Sequence, residues 1–429
     1  MELENRKKLI TRVVDGIEVP NVPEAGGSCY ETELFEDRPC SFSNRGIEPY
    51  RAALTVGPDG ILDNVSVPAA VQGGSFDGSV ADGIAVTSTS EDFTALLLRK
   101  GHYTLKNAKL DFHTHSDGSH VSDFTGYGSV ITALDGSQLT MDHVDVYSEG
   151  VAKPCVFCDS NSDVVMKDCR MQIMGGKLYD GYVNSADCVK MVEVPWVLGI
   201  AGNARGINLM GENSSITVVD SDLAAAQWGV LSTDSGSNMQ VTVIDSNLTL
   251  LGEPETDRKN PYHKRYGSGY GTYIIGGADE QFYGARIKVG TYGAILRNGT
   301  GTYQSSRGPI TVKSPATGEI LYRGTGSGRK TVIDSDAFGF MSHGPGTINL
   351  LDGTIVNSEN ASFLVRAGGL NVNIREHAEL NNRDGMLMQI LDDDDAITGL
   401  DLKAALVLTF NTEFHEKGGW PSENGQLST

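Results

Sequence analysis

ITVVDSDL, residues 216–223, returns as VTVIDSNL, residues 241–248. Each run opens with four β-branched residues and closes on Asp-Ser. The first part favours an extended strand, the second a tight turn. The same grammar recurs as LTMDHVDV (139–146), VVMKDCRM (164–171), TVIDSD (331–336) and INLLDGTIV (348–356). The corner residue in each is an aspartate: Asp142, Asp168, Asp220, Asp245, Asp334 and Asp352.

A second set of runs alternates with the first: VLGIAGNAR (197–205), WGVLSTD (228–234), YGTYIIGG (270–277), YGAILRNG (292–299), FGFMSHG (338–344) and SFLVRAG (362–368). Helical periodicity is nearly absent. Two interleaved strand motifs, returning about every 20 to 25 residues where no insertion intervenes, predict stacked coils of two or three short strands. The expected fold is all-β, a single-stranded right-handed parallel β-helix (solenoid). No four-strand blade signature supports a propeller.

On this repeat grammar, over roughly residues 50 to 410, the chain resembles the pectin-lyase-like family of right-handed parallel β-helix proteins. Its members include pectate lyases, polygalacturonases, pectin methylesterases, alginate epimerases and surface adhesins. The resemblance implies the fold. The paired aspartates of the hydrolases, and the calcium-binding aspartates and arginine of the lyases, find no matching positions. The expected organisation is a cap segment over residues 1–50, the β-helix over 51–410 and an irregular tail over 411–429.

Composition narrows the partners. The 429 residues carry a formal charge of −21, which disfavours nucleic acid and anionic membrane. No apolar run approaches a membrane span, and residues 1–20 lack a signal-peptide core, so the expected location is cytoplasmic. Six cysteines in this length are no disulfide framework. Cys155 and Cys158 form an isolated CxxC, read as structural. The corner aspartates are read as turn caps that accept backbone N–H bonds, splayed toward solvent.

The second set of runs carries the functional expectation. Aligned on their glycines, they give three columns. The first is Gly229, Gly271, Gly293, Gly339 and Ser362, with Gly199 earlier. The second is Leu231, Tyr273, Ile295, Met341 and Leu364. The third is Thr233, Ile275, Arg297, His343 and Arg366, with Asn203 earlier. Strand alternation puts all three on one face. The other face, Val230, Ser232, Thr272, Ile274, Ala294, Leu296, Phe340, Ser342, Phe363 and Val365, is compact and mostly apolar and is assigned to the interior. The outward face then holds a glycine strip, an apolar stripe and a polar edge. Such a face suits a binding cleft. It would equally serve as an interface between copies of the chain, or be covered by the chain's own ends.

Arginines on either side would disfavour protonation of His343 and leave it a neutral general base. Arg297 and Arg366 would hold developing negative charge. Tyr273 would stack or donate, and Asp234 would orient or assist. Gly229, Leu231, Thr233, Gly271, Gly293, Ile295, Met341 and Asn203 would line the cleft. His263 and Tyr266, from the long polar insertion at 253–269, would wall it. The expected activity is a cofactor-independent acid–base reaction, of isomerase, lyase or hydratase type, on a partly apolar ring-containing small molecule. The alternatives are a polysaccharide lyase, hydrolase or epimerase, and a non-enzymatic adhesin or scaffold.

HTHSDG, residues 113–118, resembles the metal-binding HxH stretch of PHP-type phosphoesterases and amidohydrolases, but no βα alternation follows it. His113, His115 and Asp117 are the candidate metal ligands, with no metal expected at the active centre. GSGYG precedes a strand rather than a helix, and P-loop, GxSxG, HExxH, nicotinamide, flavin and haem signatures are absent.

Overall fold

The computed structural model describes residues 10–14, 17–21, 50–114, 125–177, 205–251, 266–267, 269–367, 369–375, 377–390 and 405–410. The protein is all-β, dominated by parallel strand stacks. Among the described residues the only helical element is a 3-10 turn at Pro68–Ala70. No helix among them is long and apolar enough to cross a membrane. The chain divides into two compact units, residues 1–215 and 216–429.

The first unit stacks three kinds of strand. Arg51–Gly57, Phe93–Arg99, Ile131–Leu134, Val156–Cys158 and Arg205–Glu212 pair successively in parallel. Val80–Asp82, His102–Lys106, Gln138–Asp142 and Asp163–Lys167 form the second stack. Ala85–Ser88, Lys109–His113, Asp145–Glu149 and Arg170–Met174 form the third. The chain visits the three stacks in turn, so each strand pairs with its counterpart one repeat later. Such stacking is compatible with a β-helix-like architecture. Ile10–Val14 and Ile17–Asn21 pair antiparallel.

Strand alternation decides the core. Leu105, Met141 and Met166 share a register and are buried, as do Leu110, Val146 and Met171. Lys153 is also buried here. Its ammonium donates to the carbonyls of Glu91, Phe93 and Gly128 at 2.9, 3.2 and 2.5 Å. It lies 5.1 Å from the centre of the Phe112 ring. Bonding of this kind offsets the cost of burying a charge. Cys155 and Cys158 are buried free thiols, and burial pushes both well above their ordinary pKa. They are packing residues, without the thiolate that redox chemistry needs.

The second unit repeats the scheme with longer strands. Trp228–Ser237, Gly269–Tyr283, Tyr292–Gln304, Phe338–His343, Phe363–Ala367 and Met388–Ile390 form one parallel stack. Gly269–Tyr283 and Tyr292–Gln304 run on into a second stack with Gln240–Ile244, Gly346–Leu350, Gly369–Ile374 and Ala405–Phe410. Asp222–Ala225, Asn247–Leu250, Arg286–Val289, Thr331–Ser335, Thr354–Ser358 and Glu379–Asn382 form the third. Insertion-free coils advance by 23 to 25 residues, as the bonded pairs Asp334–Asn357, Asn357–Asn381 and Asp222–Asn247 show.

One insertion in this unit folds as a hairpin. Pro309–Lys313 and Ile320–Thr325 make an antiparallel hairpin. Its Ile310 and Val312 pack on Val219 and Ile244, flanked by Tyr283 and Tyr322. Both ends of the insertion meet one carboxylate. Asp245 Oδ1 accepts from Ser306 Oγ at 2.6 Å and Ser327 Oγ at 2.8 Å, and Oδ2 accepts from the Ser327 N–H at 2.8 Å.

The corners show why aspartate recurs. Asp168, Asp220 and Asp245 sit at φ of 52, 48 and 48°, the left-handed region that Asp, Asn and His tolerate best. Asn107 and His143 hold the same kind of corner in the first unit, at 49 and 56°. Their N–H groups donate across the stack, Asn107 to the Asp142 carbonyl and His143 to the Lys167 carbonyl, both at 3.0 Å. The corner residue of LTMDHVDV is therefore His143, not Asp142. Asp334 also leaves the expected column: it lies within a strand and accepts from Asn357 Nδ2 at 2.7 Å. At the last of the six, Gly353 rather than Asp352 takes the positive φ, 77°.

Candidate functional site

The apolar column stacks in register. Tyr273 pairs with Ile295, Ile295 with Met341 and Met341 with Leu364. The four join Tyr270 in one cluster, flanked by Trp228, Ile275, Tyr292 and Phe338. The opposite face is the interior, as alternation predicts: Thr272, Ala294, Phe340 and Phe363 form one in-register row, each at 0% exposure. The apolar column itself, however, is 5 to 9% exposed. It is a second buried layer rather than an open stripe.

The Trp228 strand departs from the expected alignment. Gly229 pairs with Tyr270, Leu231 with Thr272 and Ser232 with Tyr273. The slip is one residue, and one residue reverses every side chain. The offset is present from the strand's start, where Trp228 pairs with Gly269. Trp228 takes a φ of 70°, and its partner Gly269 takes 124°. Leu231 is thus fully buried beside the Thr272 row instead of lining a cleft. Thr233 is likewise inward. Its Oγ1 accepts from the Ile275 N–H at 3.0 Å and also bonds the Glu280 carboxyl.

Glu280 is the chemical exception inside. It is wholly buried, accepts from Thr272 Oγ1 at 2.6 Å, and burial pushes its carboxyl up to about 8. Its Oε1 and the hydroxyl of the buried Tyr303 have no hydrogen-bond partner among the described residues.

The glycine strip also faces packing, not ligand. A Cβ on Gly293 would stand 2.5 Å from Ile333 Cγ2 and 2.6 Å from the Gly339 carbonyl oxygen. One on Gly339 would stand 2.6 Å from Val356 Cγ1, and one on Gly271 would strike Ile287. These glycines let two walls of the unit approach. Gly229 lies under the Tyr270 ring.

The polar edge is broken too. Arg297 pairs with Ile275 as expected. Beyond Ser342 the register shifts, and His343 pairs with Ala367 rather than Arg366. The expected column of Arg297, His343 and Arg366 is therefore not a single register. The side chains of His343 and Arg366 lie outside the described residues. Arg297 is half-buried, and its aliphatic stem lies against Gly344. Asp234 is 4% exposed and accepts from the Ser235 N–H at 2.8 Å, a capping role. The Tyr266 N–H donates to Asp336 Oδ2 at 2.9 Å. Asn203, His263, His115 and Asp117 lie outside the described residues.

His113 is engaged on both sides. Its Nε2 lies 2.7 Å from Asp111 Oδ1 and its Nδ1 3.3 Å from Glu149 Oε2. The Tyr147 ring packs against that of His113, tilted by 32° with 4.7 Å between centroids, and its hydroxyl donates to Glu149 at 3.2 Å. This is a surface ion-pair network spanning two coils.

Open space lies further along the same strands. A groove of about 520 Å³ is lined by Gly277, Asn298, Gly299, Thr300, Pro345, Gly346, Thr347, Gly369, Leu370 and Asn371. A bulge between Ile275 and Ala278 creates its edge. Register carries a polar row across it, Thr300–Thr347–Asn371, and Asp279 continues that row beyond the lining. Beside that runs a second row, Gln281–Thr302–Asn349–Asn373. Asn349 donates to Thr302 at 3.1 Å, and Asn373 to Asn349 at 2.8 Å. The sequence alignment stopped two residues short of this groove. Its signal was the small-residue run after each strand: RNGTGT, HGPGT and AGGLN.

No family model, curated protein or solved structure matches the chain.

Proposed function

We propose that each unit is a stretch of right-handed parallel β-helix of the pectin-lyase-like kind, and that the second unit's groove binds a neutral, hydroxyl-rich ligand such as a segment of glycan. The supporting observation is the groove's chemistry. Its lining is glycine, threonine and asparagine with one proline and one leucine, and contains no charged side chain. Hydroxyls and amides donate and accept at once, which matches sugar hydroxyls. The coil repeat, about 4.8 Å, sets them in regular rows. An overall charge of −21 argues for a neutral ligand over a polyanionic one.

Calorimetric titration with neutral oligosaccharides tests this. Saturable binding by the native chain, weakened about tenfold or more in Asn371→Ala and Thr347→Val, is the expected result. Equal binding by native chain and variants overturns it.

A second reading keeps the acid–base enzyme, for which the arrangement of the strand ends speaks. Arg297 directly precedes Asn298, and His343 stands two residues before Pro345, so both strands lead from the candidate catalytic residues into the groove. On this reading His343 moves a proton on a ligand held there, and the partner is a ring-containing small molecule. Turnover of a bound ligand, lost in His343→Ala while binding persists, separates it from simple binding.

A further inference from the structure

Two stacked corners of the first unit bring together a set of groups that the groove does not use. His143 and Asp168 occupy equivalent corners on successive coils, at φ of 56 and 52°. The His143 N–H donates to the Lys167 carbonyl at 3.0 Å, which fixes one corner above the next. Asp142 precedes the first corner and pairs in register with Lys167. One ligand atom from each of Asp142, His143 and Asp168 lies within 4.8 Å of the others.

The chemistry of this set is specific. It mixes an imidazole with two carboxylates, rather than carboxylates alone. His143 Nδ1 lies 2.7 Å from Asp142 Oδ1. The two groups already converge, at an exposed position where water can complete a coordination shell. Lys167 Nζ lies 3.4 Å from Asp168 Oδ2, so one of the three groups already holds a cation. The Asp111–His113–Glu149 network makes the contrast. There both ring nitrogens of His113 are engaged by separate carboxylates, and the groups do not close on one point.

We propose that Asp142, His143 and Asp168 bind a divalent transition-metal ion of the zinc, cobalt or nickel kind, through one imidazole nitrogen and two carboxylate oxygens. Imidazole with carboxylate suits these ions, whereas calcium and magnesium take oxygen ligands. Water fills the remaining positions. Binding displaces the ammonium of Lys167 from Asp168.

The experiment is titration of the full chain with Zn²⁺ by calorimetry, and with Co²⁺ by its visible absorption. His143→Asn is the key variant, because asparagine already holds the equivalent corner at Asn107 and keeps the backbone. One saturable site is expected. His143→Asn and Asp168→Asn should each weaken it at least tenfold, Lys167→Ala should tighten it, and His113→Asn should leave it unchanged. Circular dichroism and unchanged melting without metal show that the variants fold. The proposal is overturned if the native chain shows no saturable Zn²⁺ site, or if His143→Asn binds as the native chain does. It is equally overturned if Ca²⁺ binds as tightly as Zn²⁺, because the site is then a plain acidic patch.

Discussion

The second unit uses glycine twice, for opposite ends. Gly271, Gly293 and Gly339 sit where a Cβ would strike Ile287, Ile333 or Val356 from another wall. Gly277 and Gly369 sit at the groove, where a Cβ would meet nothing within 4 Å. The first set closes the core and the second keeps a surface open. Composition and spacing are alike in the two; only the direction of the missing side chain separates them. A glycine row is evidence of close approach, and the approaching partner can be the protein itself.

The inner region should answer most strongly to change. Glu280 is retained in an apolar interior with its carboxyl pushed up to about 8, against 4.5 ordinarily. The sign follows from linkage. Below about pH 4.5 folded and unfolded chains both hold the proton, and the stability is fully present. Between there and about 8 the unfolded chain releases a proton that the folded chain keeps, so stability falls as pH rises. Glu280→Gln should remove that fall, with a gain over the native chain at pH 9 relative to pH 4 on the order of a few kcal/mol. Urea midpoints at both pH values measure it, and parallel pH profiles for the two proteins would sink the idea.

Gly293→Ala tests the inner glycines. Overpacking against Ile333 and the Gly339 carbonyl should cost about 1–3 kcal/mol in denaturant unfolding. A neutral result would mean that the walls can part. Gly369→Ala tests the outer ones. Its effect on stability should lie within about 0.5 kcal/mol. The affinity for a groove ligand should drop, since the new methyl points into open space. A stability loss as large as that of Gly293→Ala would erase the distinction between the two sets.

Much of the all-β strand grammar was legible in the sequence. The column Tyr273–Ile295–Met341–Leu364 aligns because successive strands keep the same spacing after each corner. The Trp228 strand misled because Trp228 pairs with Gly269 rather than Tyr270, and nothing in WGVLSTD announces that one-residue offset. The His343–Arg366 pairing failed for a similar reason, a register shift inside a strand. The apolar column looked like a surface because alternation distinguishes two faces, but not whether the outer one is covered. The groove was missed because glycine, threonine and asparagine are also the ordinary residues of turns, so its lining does not stand out in the sequence.

The hairpin at Pro309–Thr325 has a mechanical consequence. Its two ends are pinned to Asp245 by Ser306 and Ser327, and its inner strand is glued to Val219 and Ile244. The anchoring lies at the base and along Pro309–Lys313. The tip, closed by the Gly318 N–H donating to the Ser314 carbonyl, bears no load from the coils. Evolution or an engineer can therefore treat residues 315–318 as a socket: foreign sequence spliced there hangs from a buckle already fastened, and the parallel strand stack behind it need not notice.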